Sequence, residues 1–180
     1  MMRDATEPTL NMIPVWDPLV RIFHWTLATC FIAAYLLTEG NGAMHQAFGY
    51  LAGGLVALRI AWGFVGPPRA RFADFVPSLR SLFVYVRDML RGRERRFVGH
   101  NPVGGVMILA LLAQIALLAL TGWLMTTDAF WGVRWLQDLH EAIAHLAAIC
   151  VCVHVGGAIV ESIRHRENLP LAMITGRKRA

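Results

Sequence analysis

The sequence predicts an all-α integral membrane protein, a bundle of four membrane-spanning helices. Of its 180 residues, 56% are hydrophobic and only 16% are charged, whereas a soluble globular domain has about 25% charged residues. The mean hydropathy is +0.48, and the apolar residues are concentrated in four stretches rather than spread along the chain. This composition excludes a disordered chain, an extracellular disulfide scaffold and an ordinary soluble enzyme.

Four charge-poor stretches define the predicted spans. Residues 104–126 and 142–160 contain no Asp, Glu, Lys or Arg, residues 45–64 contain only Arg59, and the shorter 22–37 is uncharged too. A helix of about 20 residues crosses the ~30 Å hydrocarbon layer. We therefore predict one membrane domain over residues 1–180, with spans at about 18–38, 43–65, 102–126 and 136–163.

Helix-capping residues mark the predicted starts of three spans. Asp17 and Asn101 each stand directly before a proline, which is the arrangement of an N-cap followed by the first helical residue. Asp138 and Glu141 have the spacing of a capping-box variant, so we expect the fourth helix to begin close to them.

The positive charges lie on one side of the predicted membrane. Of the 17 Lys and Arg residues, eight fall in the loop 66–102, whereas 39–44 has none and 127–135 has only Arg134. This positive-inside pattern predicts that both termini and the long loop lie in the cytoplasm. Residues 1–17 are polar, so we expect a cytoplasmic tail rather than a signal peptide. Nucleic-acid binding needs a basic face on an exposed domain and is excluded.

The loop between the second and third spans contains an amphipathic segment, residues 78–91. Its basic residues Arg80, Arg87 and Arg91 lie off an apolar stripe, which is the pattern of a helix lying in the membrane interface among the lipids. A helix that packs this stripe on the protein itself would have the same pattern, and the sequence leaves both open. The stripe consists of Leu79, Leu82, Phe83, Val86 and Leu90.

Four of the seven histidines form two predicted pairs, each with one member on the fourth helix. Ionisable residues are rare within spans and usually functional. His140 and His154 are 14 residues apart, about 21 Å along a helix and on nearly the same face. Because the first helix runs outward and the second runs inward, the topology pairs His24 with His154 on the cytoplasmic side. It pairs His45 with His140 on the outer side.

Two facing imidazoles suit the axial positions of a haem iron, so each pair is a predicted haem site. There is no Cys-x-x-Cys-His motif for covalent attachment, and a zinc site would need four clustered ligands. Arg59 stands 14 residues after His45, and Arg21 stands one turn from His24. Both arginines are candidate partners of the propionates of the cytoplasmic-side haem. The alternative for each is an arginine that reaches to the lipid headgroups.

Several segments together form a recognisable pattern: Val15-Trp16-Asp17-Pro18-Leu19-Val20-Arg21-Ile22-Phe23-His24-Trp25, His45 with Gly49-Tyr50, Arg59-Ile60-Ala61-Trp62-Gly63-Phe64, Gly99-His100-Asn101-Pro102-Val103-Gly104-Gly105, and the pair His140 and His154. With them, roughly residues 14–165 resemble the prokaryotic cytochrome b561 family, which is grouped with the b-type cytochrome subunits of nickel-iron hydrogenases. The resemblance implies two non-covalent b haems, whose axial ligands carry over onto His24, His45, His140 and His154. It also implies a location in the bacterial cytoplasmic (inner) membrane, and electron transfer between a quinone in the bilayer and a redox partner at the outer face.

Within that pattern, His100 falls at the cytoplasmic mouth of the third helix. We expect a structural or quinone-site residue there, not an iron ligand. The outer surface is predicted to be acidic, which would suit a basic or cationic partner. Its four carboxylates are Glu39, Asp128, Asp138 and Glu141.

Three functions remain open from the sequence. The leading hypothesis is a di-haem b-type cytochrome that carries electrons between the quinone pool and a periplasmic cytochrome or redox enzyme subunit. In that case the protein is an electron-transfer component with lipid and quinone as partners and no assigned catalytic residue. The second is a self-contained, quinone-linked oxidoreductase acting on a small diffusible substrate such as superoxide, with entry past Trp123, Trp131 and Trp135. The third is a haem-free metal-ion carrier that uses the same histidines.

Overall fold

The computed structural model describes residues 12–38 and 42–179. Residues 1–11, which hold most of the predicted cytoplasmic tail, and Glu39 lie outside these ranges. Strand β1 (Met12–Pro14) pairs antiparallel with β2 (Arg177–Arg179). The helices are α1 (Pro18–Ile32, continued by a π-helical turn over Ala33–Leu37), α2 (Gly42–Val65), α3 (Phe72–Phe75), α4 (Leu79–Leu90), α5 (Pro102–Leu124), α6 (Arg134–Arg164) and α7 (Leu169–Thr175).

Four of these helices, α1 with its π-helical turn, α2, α5 and α6, are long and apolar enough to cross a membrane. Large apolar side chains cover their outward surfaces, where Phe64 is 71% exposed and Ile163 is 72% exposed. In water such a surface would cause aggregation, whereas lipid tails are as apolar as these side chains. The predicted fold class, a helical membrane bundle of four spans, is confirmed.

Side-chain caps begin two of the spans where the sequence predicts them. At the start of α1, the Asp17 carboxylate accepts a hydrogen bond from the Leu19 N–H at 2.6 Å. At the start of α5, the Asn101 side-chain oxygen accepts one from the Gly104 N–H at 2.7 Å. Each cap is followed by a proline in the first turn, where its missing N–H leaves no bond unmade.

The start of α6 differs from the prediction. The helix begins at Arg134, after Val133, which makes no side-chain cap. Asp138 and Glu141 therefore lie inside the helix and do not cap it. The physical reason is the preceding turn, because the Leu136 N–H already bonds to the Val133 carbonyl at 3.2 Å and the helical turn is established before Asp138.

The core of the bundle lies among α1, α2 and α5, and α6 packs along α5. Gly53 allows α2 and α5 to approach closely, since a Cβ at Gly53 would lie 2.9 Å from the Cβ of Ala119. The helices α1 and α6 meet through aromatic and histidine side chains instead. The buried core cluster consists of Phe23, Cys30, Ala52, Val56, Leu112 and Ile115.

Helix α4 presents its apolar stripe outward. Leu79 is 85% exposed, Phe83 83% and Leu90 80%, so these three residues do not pack on the protein. The other two residues of the stripe, Leu82 and Val86, are half-buried. Tyr85 faces the bundle, where its hydroxyl donates to the Glu161 carboxylate at 3.4 Å. Burial and the nearby Glu161 carboxylate raise the pKa of Tyr85 to about 12. This anchored helix with an outward apolar stripe is the interfacial helix that the sequence predicts.

The sheet formed by β1 and β2 holds both ends of the described chain beside the first turn of α1. The N–H groups of Val15 and Trp16 both donate to the Gly176 carbonyl, at 2.8 and 3.1 Å. Gly176 has a φ of +79°, a left-handed conformation that glycine adopts without strain. This part of the bundle is named the terminal end, and the part with the turn at residues 125–133 is named the hairpin end.

Candidate functional site

Four histidines meet in two pairs at different levels of the bundle. His24 on α1 and His154 on α6 have their ring centroids 6.2 Å apart. His45 on α2 and His140 on α6 have theirs 6.1 Å apart. They are named the near pair, toward the terminal end, and the far pair, toward the hairpin end. The structure thus brings together the partners that the topology predicts.

The spacing within each pair fits one metal ion held between two imidazoles. An imidazole nitrogen binds a metal at about 2.0–2.1 Å, so two imidazoles on opposite sides of one ion have ring centroids about 6 Å apart. Among the described residues, no group of three or more His, Cys, Asp or Glu side chains is placed to hold a metal ion. Two ligands alone suit a haem iron, whose remaining positions are filled by the macrocycle itself.

A cavity of about 490 Å³ opens beside the far pair. Gly49 and Gly122 line it, so the cavity wall carries no side chain at these two positions. A Cβ at Gly122 would lie 3.4 Å from the His140 ring, and a Cβ at Gly49 would enter open space. Flat walls of this kind fit a macrocycle, whereas Gly53, one turn further along α2, serves helix packing instead.

The far-pair imidazoles are both held through Nδ1. His140 Nδ1 lies 2.8 Å from the Thr121 hydroxyl oxygen. His45 Nδ1 lies 3.1 Å from the Ala34 carbonyl oxygen and 3.2 Å from the Thr38 hydroxyl oxygen. The other ring nitrogen, Nε2, is then the one available to a metal.

Arg59 is buried in the membrane bundle near the terminal end. Only 3% of it is exposed, so it does not reach out to the lipid headgroups, and that alternative is wrong for this residue. Its guanidinium stacks over the rings of Phe72 and Phe75, 5.3 and 5.7 Å from their centroids. Its Nη1 has no hydrogen-bond partner among the described residues. A buried, partly unpaired cation is expected to have an anionic partner.

Arg21 is engaged by the C-terminal segment. Its guanidinium donates to the Ile174 carbonyl at the end of α7, and Nη1 lies 2.8 Å from where a Cβ on Gly176 would stand. Its buried Nε has no hydrogen-bond partner within the described residues. Of the two arginines predicted beside the near pair, Arg59 therefore has the guanidinium that is more available to a haem propionate.

His100 lies at the mouth of α5 between two aromatic rings. Its ring centroid is 4.5 Å from that of Trp16 and 5.2 Å from that of Phe75. Burial, together with the positive charges of Lys178 and Arg59 and the nearby His154, lowers the pKa of His100 from 6.5 to about 4. The imidazole is neutral at pH 7, and no second histidine faces it as a ligand partner among the ring contacts of the described residues.

The lowered pKa of His100 predicts a loss of stability in mild acid. The unfolded chain binds this proton near pH 6.5, and the folded chain binds it only near pH 4. Above pH 6.5 the titration of His100 therefore costs no stability. Between pH 6.5 and pH 4 the free energy of unfolding decreases by about 1.4 kcal/mol for each unit by which the pH falls. Thermal unfolding of detergent-solubilised protein at several pH values measures this slope. The slope should be smaller in His100→Gln, and an equal slope in His100→Gln and the wild type would contradict the assignment.

His145 lies apart from both pairs, as its position half a turn from His154 predicts. Its Nδ1 is 2.8 Å from the Tyr35 hydroxyl oxygen, and its Nε2 is 3.5 Å from the Glu141 carboxylate. Both ring nitrogens thus have protein partners, so His145 is a hydrogen-bonded residue of the α1–α6 contact.

Besides Thr38, which contacts His45, the sequence analysis missed further residues of the site. Thr121 and Gly122 contact His140 from α5, and Lys178 of β2 is buried, with its ammonium 5.6 Å from the Trp16 ring and 4.0 Å from Glu167. Burial lowers the pKa of Lys178. A hydroxyl followed by a glycine within the uncharged stretch 104–126 was the available signal for the first two. Nothing local distinguishes Lys178 from the rest of the basic C-terminal tail.

A four-helix membrane bundle with histidines facing each other in pairs defines the class of b-type membrane cytochromes. The chain belongs to the prokaryotic cytochrome b561 family, whose model matches residues 15–176. It is therefore a membrane cytochrome with haem b as its cofactor and membrane electron transfer as its role. The hypothesis of a haem-free metal-ion carrier is accordingly wrong.

The chain is also similar to several curated relatives, each described as a probable Ni/Fe-hydrogenase B-type cytochrome subunit. The relative from Rhizobium leguminosarum bv. viciae is 26% identical, over 91% of this chain and 87% of its own length. The relative from Rhodobacter capsulatus is 25% identical, over 91% and 80%. The relative from Cupriavidus necator is 27% identical, over 96% and 89%. No solved structure matches the chain.

Proposed function

We propose that this protein is a di-haem b-type cytochrome that carries electrons across the bacterial cytoplasmic membrane, between the quinone pool and a periplasmic redox partner. The observation that supports it is the presence of two histidine pairs, each with ring centroids close to 6 Å apart. Each pair would hold one haem: His24 with His154, and His45 with His140. Haem b, when bound there, supplies a one-electron couple at each level of the membrane.

Helix α6 sets the separation of the two proposed sites. It contributes one ligand to each, His140 and His154, which are about 21 Å apart along the helix axis at 1.5 Å per residue. A buried apolar cluster on α1, α2 and α5 forms the core of the bundle that holds the histidine-bearing helices together. The Asp17 carboxylate acts on the Arg59 guanidinium electrostatically, but Nη1 has no hydrogen-bond partner among the described residues. The propionates of the near haem would supply that partner.

The basic residues support an orientation with the terminal end in the cytoplasm. Eight of the 17 Lys and Arg residues lie in the 66–102 loop, whereas residues 127–135 at the hairpin end contain only Arg134. In this orientation the near haem would be on the cytoplasmic side and the far haem on the periplasmic side. The exposed carboxylates of Asp128, Asp138 and Glu141 then face the periplasm, where they would attract a basic partner.

The relatives support the proposed kind of partner. They are described as subunits of Ni/Fe hydrogenases, so a periplasmic redox enzyme subunit, such as a hydrogenase, is the partner we propose for the far end. Quinone, which is soluble in the bilayer, would be the other redox partner. Copurification with the partner subunit from the native membrane tests this assignment.

We expect two haem b per chain in the purified protein. A dithionite-reduced minus oxidised spectrum, with haem quantitation against protein, measures this directly after expression with an adequate haem supply. Two haems support the proposal, because each histidine pair then holds one. A single haem would contradict one of the two pairs, and none would overturn the proposal as a whole.

A second candidate function is supported by the exposure of the far cavity. Trp123 and Trp131 line it and are 51% and 74% exposed, so a small diffusible oxidant or reductant would have access there. In that case the chain is a self-contained, quinone-linked oxidoreductase. Turnover of superoxide and quinone by the purified chain alone would favour this function, whereas dependence on a partner subunit would favour the first.

A further inference from the structure

The hydrogen bond between His140 and Thr121 has a defined direction. The Thr121 hydroxyl lies 2.8 Å from the Leu117 carbonyl and 3.2 Å from the Leu118 carbonyl, and a carbonyl oxygen can only accept. The single hydroxyl proton therefore goes to a backbone carbonyl. Thr121 Oγ1 is left as an acceptor for His140 Nδ1 at 2.8 Å, so Nδ1 must be the protonated nitrogen of that ring.

The same reasoning applies to His45. Its Nδ1 lies 3.1 Å from the Ala34 carbonyl, which can only accept, so this nitrogen donates as well. The Thr38 hydroxyl donates its proton to the same carbonyl, at 2.8 Å. Ala34 lies in the π-helical turn that ends α1, a local widening that is common at functional sites. Both far-pair rings thus carry the proton on Nδ1 and leave Nε2 free to bind a metal.

The near pair lacks this support on its α1 ligand. His24 Nδ1 is buried and has no hydrogen-bond partner among the residues that the structure describes. The two sites are therefore built differently. A hydrogen bond from the distal N–H of a metal-bound imidazole raises the basicity of the ligand and stabilises the more oxidised metal, so this difference has a measurable consequence.

We propose that Thr121 is a positioning residue that fixes the tautomer of His140 and lowers the reduction potential of the far haem. This inference rests on the proposed function only in that a haem occupies the far pair. Removal of the Thr121 oxygen leaves the His140 N–H without an acceptor in an apolar setting, which disfavours positive charge on the iron. The far haem then becomes easier to reduce, and the near haem, about 21 Å away, serves as the internal reference.

The test is a redox titration of the purified holoprotein, with both haem potentials followed optically. In Thr121→Val, the ratio of reduced to oxidised far haem at a fixed potential should rise about two- to tenfold, the size of one hydrogen bond, while the near haem is unchanged. Thr121→Ser keeps the acceptor and should match the wild type. Thr29→Val is the matched control, because Thr29 makes the same bond to the carbonyl four residues back, Trp25, at 2.9 Å.

Thr121→Ala provides a second variant that removes the oxygen should the valine disturb packing. Loss of the far haem in both Val and Ala, with retention in Ser, also supports the positioning role. An unchanged far potential in Val and Ala, with two haems bound, overturns the inference and leaves the proposed function intact. A wild-type protein with no far haem overturns both, so the two failures are distinguishable.

Discussion

Replacement of His154 by alanine should remove the near haem and leave the far haem in place. The same loss is expected for His24→Ala, because a single remaining imidazole does not hold the iron on both sides. His45→Ala and His140→Ala should remove the far haem only. In each case the haem content falls from two to one per chain, and the pyridine haemochrome assay with redox titration identifies which potential has disappeared.

The histidine variants have a matched control on the same helix. His145→Ala should keep both haems, since its ring is held by Tyr35 and Glu141 and faces no other histidine in the described structure. The proposed pairing assigns the histidine of α1 and the histidine of α2 to different haems. If His24→Ala and His45→Ala abolish the same haem, the pairing of α1 and α2 with α6 is wrong.

Substitution of Arg59 by glutamine should weaken the near haem site. Arg59 is 3% exposed, and its Nη1 has no hydrogen-bond partner among the described residues. If a propionate of the near haem is that partner, loss of the guanidinium leaves the propionate without its counter-charge. A hydrogen bond to a charged group contributes about 1.5–3 kcal/mol, so haem affinity at the near pair should fall on the order of 10- to 100-fold. Titration of the detergent-solubilised apoprotein with haem measures this loss. A redox titration of the product then identifies the near haem by its potential.

Arg87→Gln is the control for the Arg59 variant. Arg87 is exposed on α4 and pairs with its neighbour Asp88 at 3.2 Å. An exposed ion pair of this kind contributes little to the stability of the fold. Haem affinity should not change in this variant. Equal near-haem affinity in Arg59→Gln and the wild type would mean that Arg59 is held by its two aromatic neighbours alone.

Local sequence patterns predicted much of this architecture. Uncharged stretches of about 20 residues have few alternatives to a membrane helix, because backbone polar groups must be satisfied within the segment. Asp17 and Asn101 before prolines placed two helix starts correctly, because a cap depends only on atoms within one turn. The predicted fourth span begins at 136, two residues after the observed start of α6, but its predicted cap at Asp138 was wrong, since the first turn forms from backbone contacts that no side chain marks.

Features that depend on distant parts of the chain were not predictable. The pairing of β1 with β2 joins residues more than 160 positions apart, and strands of three residues have no periodicity to detect. This pairing buries Lys178, for which the sequence analysis made no prediction. The contact of Thr121 with His140 likewise depends on the rotation of α5 against α6, which packing sets.

By itself, the sequence determined the four membrane helices and the candidate histidines with their partners. For α4 it allowed two arrangements, and an outward-facing apolar stripe was one of them. Periodicity and hydropathy determine these properties because they act along a single helix and against the lipid. Only the tertiary structure decided that Arg59 is buried, that Gly49 borders a cavity while Gly53 packs a helix, and which oxygen atoms orient the far-pair rings. Those outcomes depend on distances of a few ångströms between different helices, and only the packed bundle sets such distances.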